Sequence, residues 1–117
     1  MDTITRIQRT ELHDSALIEM TRDGDLVRLK FKDVWLDDEI CYKVAITLGG
    51  VLKITRDNEV VNAVRMETED GGVIAFRRSG HIAELVVTWT SYAPRIDETR
   101  SYTFDFTTFD LQAEKQD

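Results

Sequence analysis

His13, Asp14 and Ser15 stand next to one another, and between them they hold the base, acid and nucleophile of a hydrolase triad. In such a triad a carboxylate orients an imidazole, and the imidazole activates a hydroxyl. Adjacency argues against that chemistry. On an extended chain, neighbouring side chains point to opposite faces, so Asp14 cannot orient His13 while His13 reaches Ser15. The sequence also lacks a Gly-x-Ser-x-Gly elbow that would present a second nucleophile. A His-Asp pair serves metal-dependent phosphohydrolases too, but those sites need further His and Asp ligands. Here the only other histidine is His81. His13, Asp14 and His81 are therefore the candidate ligand or metal residues of a secondary reading, a small-ligand-binding or enzymatic barrel with His13 and Asp14 at its mouth. The structural alternative has Asp14 or Ser15 binding backbone amides where the first strand begins, with His13 packed at the sheet's end.

A second concentration of chemistry is acidic. Asp33, Asp37, Asp38 and Glu39 surround Trp35. A calcium loop would need oxygen ligands in fixed alternation around a central glycine, and this segment has no glycine. An aromatic anchor inside a charged rim is instead what protein interfaces favour, so these five residues are the leading interaction candidates. The competing reading has Trp35 ending a strand and tucking under the sheet. Trp89 and Tyr92, just before Ala93-Pro94-Arg95, form a second candidate surface aromatic pair. Cys41, the lone cysteine, excludes an internal disulfide, and its apolar neighbours Ile40 and Tyr42 predict a buried, inert thiol.

Charge narrows the partner. With 22 acidic and 15 basic residues the chain carries a net charge of −7. Nucleic-acid binding rests on neutralising phosphates with Lys and Arg, so an acidic chain is poorly suited to it. The basic spots at Arg28/Lys30/Lys32 and Arg77/Arg78 read as solvated strand faces. An acidic surface either steers towards a basic protein partner or simply keeps the chain soluble and monomeric, and the net charge alone does not decide between the two. The residue pattern implies no cofactor. No apolar stretch approaches the ~18 residues of a membrane span. The opening residues carry an acid at position 2 and no apolar run, so they do not read as a secretory signal, and the expected location is cytoplasmic.

The elements that must position these residues are mostly strands. Turn signals recur at Asp23-Gly24, Gly49-Gly50, Asp57-Asn58, Asp70-Gly71-Gly72 and Ser79-Gly80, between short runs rich in Val, Ile, Thr, Phe and Trp. Ile4 and Ile7 are spaced for one or two helical turns. From Leu12, the residues Leu12, Asp14, Ala16, Ile18 and Met20 are expected on one side of a strand, and His13, Ser15, Leu17 and Glu19 on the other. Val27, Leu29 and Phe31 then alternate with Arg28, Lys30 and Lys32, the cleanest period-two signal in the chain. Asp33–Glu39 reads as a loop. Residues 40–48 read as a strand that turns at Gly49-Gly50 and returns through 51–55. Residues 59–68 fit a strand or a helix, and β-branched content favours the strand. Val73–Arg77, Ile82–Thr90 and Thr99–Phe109 complete the set, the last with Tyr102, Phe104 and Phe106 on one face.

These features predict an all-β chain, or β with one short helix as the alternative. It forms a single domain over residues 1–117, built as a meander-like antiparallel β-sandwich or partly open barrel. An unpaired edge strand would give such a fold a route to a homodimer. The run Leu12-His13-Asp14-Ser15, an alternating strand, a glycine turn and Leu26–Phe31, together with Trp89-Thr-Ser-Tyr92 and the terminal aromatic strand, resembles a group of small bacterial β-rich domains. Some of that group are immunity proteins of toxin systems. The resemblance implies a non-enzymatic partner-binder, and it carries over no defined active residue.

Overall fold

The computed structural model describes residues 2–37 and 40–116. It is mostly antiparallel β-structure with one short helix, in the order α1 (Thr3–Arg9), β1 (Ala16–Asp23), β2 (Leu26–Trp35), β3 (Cys41–Gly49), β4 (Lys53–Arg56), β5 (Glu59–Val61), β6 (Asp70–Ser79), β7 (Ile82–Tyr92), β8 (Arg95–Asp105) and β9 (Thr108–Lys115). The strands form one nine-stranded sheet, β5-β4-β8-β7-β6-β1-β2-β3-β9, which does not close into a barrel. No helix among the described residues is long and apolar enough to cross a membrane.

The sheet curls until its apolar sides meet. Phe31 of β2 touches Phe76 of β6 with ring centroids 6.2 Å apart, and Phe76 touches Phe109 of β9 at 6.5 Å. β6 and β9 are four places apart in the sheet, so only curling brings their rings together. The molecule is 20 Å thick on its short axis, as two β layers about 10 Å apart require. The buried side chains form one core that includes Leu29, Phe31, Ile46, Leu85, Tyr102 and Phe104. Ile7 of α1 and Leu12 just after it are buried with them, so the helix serves as a lid on the open side. Asp2 caps the helix, its Oδ1 accepting from Thr5 N at 2.7 Å.

The period-two reading of β2 holds: Val27, Leu29 and Phe31 are buried while Arg28, Lys30 and Lys32 are exposed. Four other expectations are corrected. Residues 10–14 form a tight turn, with positive φ at Glu11, Leu12 and Asp14, and the strand begins only at Ala16. A bulge between Leu17 and Glu19 then breaks the alternation, burying Leu17 and Met20 and exposing Ile18. Gly71-Gly72 is not a turn but lies inside β6, where Gly71 pairs with Trp89. A Cβ added at Gly71 would stand 2.8 Å from Trp89 Cζ3, so the glycine is there to let the indole in. Residues 53–56 do not return along β3. They pair with β5 and β8 in the other half of the sheet. The ambiguous stretch 59–68 splits into the three-residue β5 and an irregular segment.

Candidate functional site

Residues 33–35 of the acidic segment are strand and not loop. β2 continues through Asp33 to Trp35, because a bulge between Phe31 and Val34 absorbs the extra residue. Asp33 takes φ 58° there, a conformation Asp tolerates. Its backbone N–H donates to Gln116 Oε1 at 2.8 Å, and its Oδ1 accepts from Gln116 Nε2 at 2.7 Å. Gln116 N donates in turn to Cys41 O at 3.0 Å, so Gln116 braces the loop end of the β2–β3 hairpin. At the same end Trp35 pairs with Cys41, Leu36 N donates to Ile40 O at 3.2 Å, and Ile40 N donates to Asp37 Oδ1 at 3.1 Å. Arg6 of α1 reaches Asp37 at 4.0 Å.

Trp35 does not tuck under the sheet. It exposes 51% of its surface on this braced hairpin end. Asp38 and Glu39 lie outside the described residues. Cys41 is free and only partly buried, less enclosed than its apolar neighbours suggest. The expected surface pair of Trp89 and Tyr92 separates. Tyr92 is 65% exposed, its hydroxyl donating to Asp70. Trp89 is buried to 2%, because core-facing positions of β7 alternate through Ala83, Leu85, Val87 and Trp89.

His13 and Asp14 do meet. His13 Nε2 lies 3.4 Å from Asp14 Oδ1, and Nδ1 hydrogen-bonds Ile74 O at 2.7 Å, with both side chains largely exposed. Ser15 is buried, but its hydroxyl donates to Leu12 O at 2.6 Å and not to the imidazole. His81 is elsewhere. It sits in the β6–β7 turn and packs edge-on against Phe106, with centroids 6.2 Å apart. Five residues of strand and Gly80 separate Ile74 from His81, and the strand part alone spans roughly 17 Å at the usual rise. Among the described residues no group of three or more His, Cys, Asp or Glu side chains is gathered for a metal ion.

The best-organised polar cluster lies on residues that the sequence did not single out for chemistry. Glu67, in the irregular segment before β6, accepts from Arg56 Nε and Nη2, each at 3.0 Å, and from the Tyr102 hydroxyl. The Tyr102 hydroxyl accepts in turn from Trp89 Nε1 at 3.0 Å. Arg100 stands 3.7 Å from Glu67 and 3.0 Å from Asp57. A cleft of about 430 Å³ adjoins the cluster, floored by Val64 and Tyr102.

Burial pushes the Glu67 carboxyl up, but the Arg56 and Tyr102 hydrogen bonds and the charges of Arg56 and Arg100 outweigh it and leave it below the usual carboxylate range. Burial first, then the Glu67 carboxylate, pushes the Tyr102 phenol up. The Glu67 hydrogen bonds hold Arg56 more firmly charged. Every shift runs away from neutrality, whereas general acid–base catalysis needs a group poised near the working pH. The cluster therefore keeps one protonation pattern at neutral pH and acts as a clamp that pins residue 67 to β4 and β8. Its sequence signal was faint: Arg100 and Tyr102 occupy core-side positions of β8 where apolar residues would be expected. Comparison of the chain with protein-family models, with curated proteins and with solved structures returns no match.

Proposed function

We propose that the protein is a non-enzymatic interaction module that captures a basic protein partner at the braced end of the β2–β3 hairpin. The observation that carries this reading is Trp35, an aromatic side chain 51% exposed on backbone held by hydrogen bonds on both sides. A large apolar ring on ordered backbone loses little freedom on binding, so more of its burial is available as affinity. Asp37 and Tyr92 add polar and aromatic contacts at the surface, Asp33 acts mainly by positioning, and Trp89 acts only from the core. The net charge of −7 supplies long-range steering for a basic surface. An immunity factor that neutralises a toxin in the bacterial cytoplasm fits this description. β9, at one end of the sheet, is the strand through which two copies would pair into a homodimer.

The test is affinity capture from native extract, comparing the wild-type chain with Trp35→Ala and His13→Ala. The expected result is a stoichiometric basic protein that salt releases. Trp35→Ala should lose it with an unchanged melting curve, and His13→Ala should keep it. An empty bait, or capture indifferent to Trp35, overturns the proposal.

A further inference from the structure

The curl of the sheet leaves a seam where β9 faces β6 without hydrogen-bonding to it, and the seam opens as a cleft of about 540 Å³. That volume lies within the range of small-molecule sites. Its apolar wall comes from Leu12, Phe76, Ile82, Phe109 and Leu111. Two adjacent arginines of β6 line it, and they have different partners. Arg77 is already neutralised, bound to Glu11 at 3.1 Å and to Glu84 at 3.3 Å. Arg78 is in a different state. Its guanidinium lies over Phe109 at 4.2 Å and over Phe106 at 5.7 Å. Among the described residues it has no carboxylate partner, and its one hydrogen bond runs from Nε to Gly80 O at 3.4 Å.

Stacking uses the flat face of a guanidinium and leaves its in-plane N–H fork free, the geometry that matches a carboxylate. The rings hold that fork in place before any ligand arrives, so the cost of ordering a long side chain is reduced. The carboxylates nearby, Glu11 and Glu84, are gathered on Arg77, so they leave Arg78 the cation available to an anion. We propose that the β6–β9 seam binds a small organic monocarboxylate with a flat or branched apolar body, its carboxylate on Arg78 and its body against Phe76, Phe109 and Leu111. This site is independent of the Trp35 surface, and either reading can fail without the other.

The experiment titrates the full chain with benzoate, phenylacetate and 4-methylpentanoate, each beside its neutral amide, and follows backbone amide signals and the thermal midpoint. At ten times its Kd a bound carboxylate should raise the midpoint by roughly 4–8 °C. Signal changes should concentrate at Gln8–Leu12, Phe76–Ile82 and Phe109–Leu111, and the amides should bind at least tenfold more weakly. Arg78→Gln should weaken carboxylate binding at least tenfold while keeping a dispersed spectrum. Arg78→Lys, with the charge but not the fork, should fall between, and Lys32→Gln should match wild type. The proposal is overturned by silence at millimolar carboxylate, by amides that bind as well as acids, or by Arg78→Gln binding unchanged. If Arg78→Gln unfolds, the acid–amide comparison and Arg78→Lys decide the matter.

Discussion

Removing one oxygen, in Tyr102→Phe, tests whether the Glu67 cluster is a clamp. Tyr102 is 1% exposed, and its ring lies among core side chains that a phenylalanine would satisfy equally. Packing alone therefore predicts no cost. The hydroxyl, however, accepts from the buried Trp89 N–H and donates to the Glu67 carboxylate. Its loss leaves an indole N–H unsatisfied at a residue 2% exposed, costing about 1–3 kcal/mol, and removes a hydrogen bond to a charged group, worth about 1.5–3 kcal/mol. Both losses share one atom and relax together, so about 2–4 kcal/mol is expected, below their simple sum. The assay is urea unfolding at neutral pH, followed by tryptophan fluorescence and by circular dichroism. The pH dependence supplies a second check. The native pKa of Glu67 is lowered, so its ionised form contributes stability above the unfolded-state value of about 4.3, and that contribution is lost as pH falls through the native value. The penalty of Tyr102→Phe should therefore be largest at neutral pH and shrink in acid. A change under about 0.5 kcal/mol at neutral pH would refute the clamp, because surface-like substitutions already span that range. So would a penalty that does not depend on pH.

Two further substitutions test the packing around that cluster. Gly71→Ala places a methyl 2.8 Å from Trp89 Cζ3, against an indole held by the core, and should cost about 1–3 kcal/mol in the same unfolding assay. A neutral result would mean that the indole has room to move. Phe104→Ala, at a fully buried site on β8, should cost about 3–5 kcal/mol and rank among the most damaging single changes. A loss comparable to that of an exposed residue would put Phe104 outside the core.

How far these features could be read from the chain depends on whether their cause is local. The β2 alternation was legible because one face meets the core and the other meets water, and the two demands appear residue by residue. The helix at Thr3–Arg9 was only hinted at by Ile4 and Ile7, because a spacing over so few residues does not define a helix, and its lid role depends on where the sheet leaves a gap. Bulges were invisible. Extra residues at Ile18 and near Asp33 each shift the face on which later side chains emerge, and no residue type announces them. Gly71-Gly72 misled for a related reason. Glycine marks a turn when φ is positive, but it also marks a strand position where a large neighbour needs space. Only the sheet partner, Trp89, distinguishes the two.

The same distinction separates the two candidate sites. Trp35 and its acidic neighbours are contiguous, so a candidate patch could be named from the sequence. What it lacked was the brace, supplied by Gln116 from 83 residues away. The Glu67 cluster has no contiguous trace at all. Its members come from β4, the segment before β6, β7 and β8, and the side-by-side pairing of β4, β8 and β7, which are distant in sequence, is what brings them to one place. A charged group that ends up half-buried must find its counter-ions in three dimensions, because an unpaired ion there would cost several kcal/mol. Glu67 meets that requirement with Arg56, Arg100 and Tyr102 together. Satisfying it so fully also moves every group in the cluster away from neutral pH. The contacts that hold residue 67 in place are thus the same ones that favour its charged form, so position and charge are set by one group of partners.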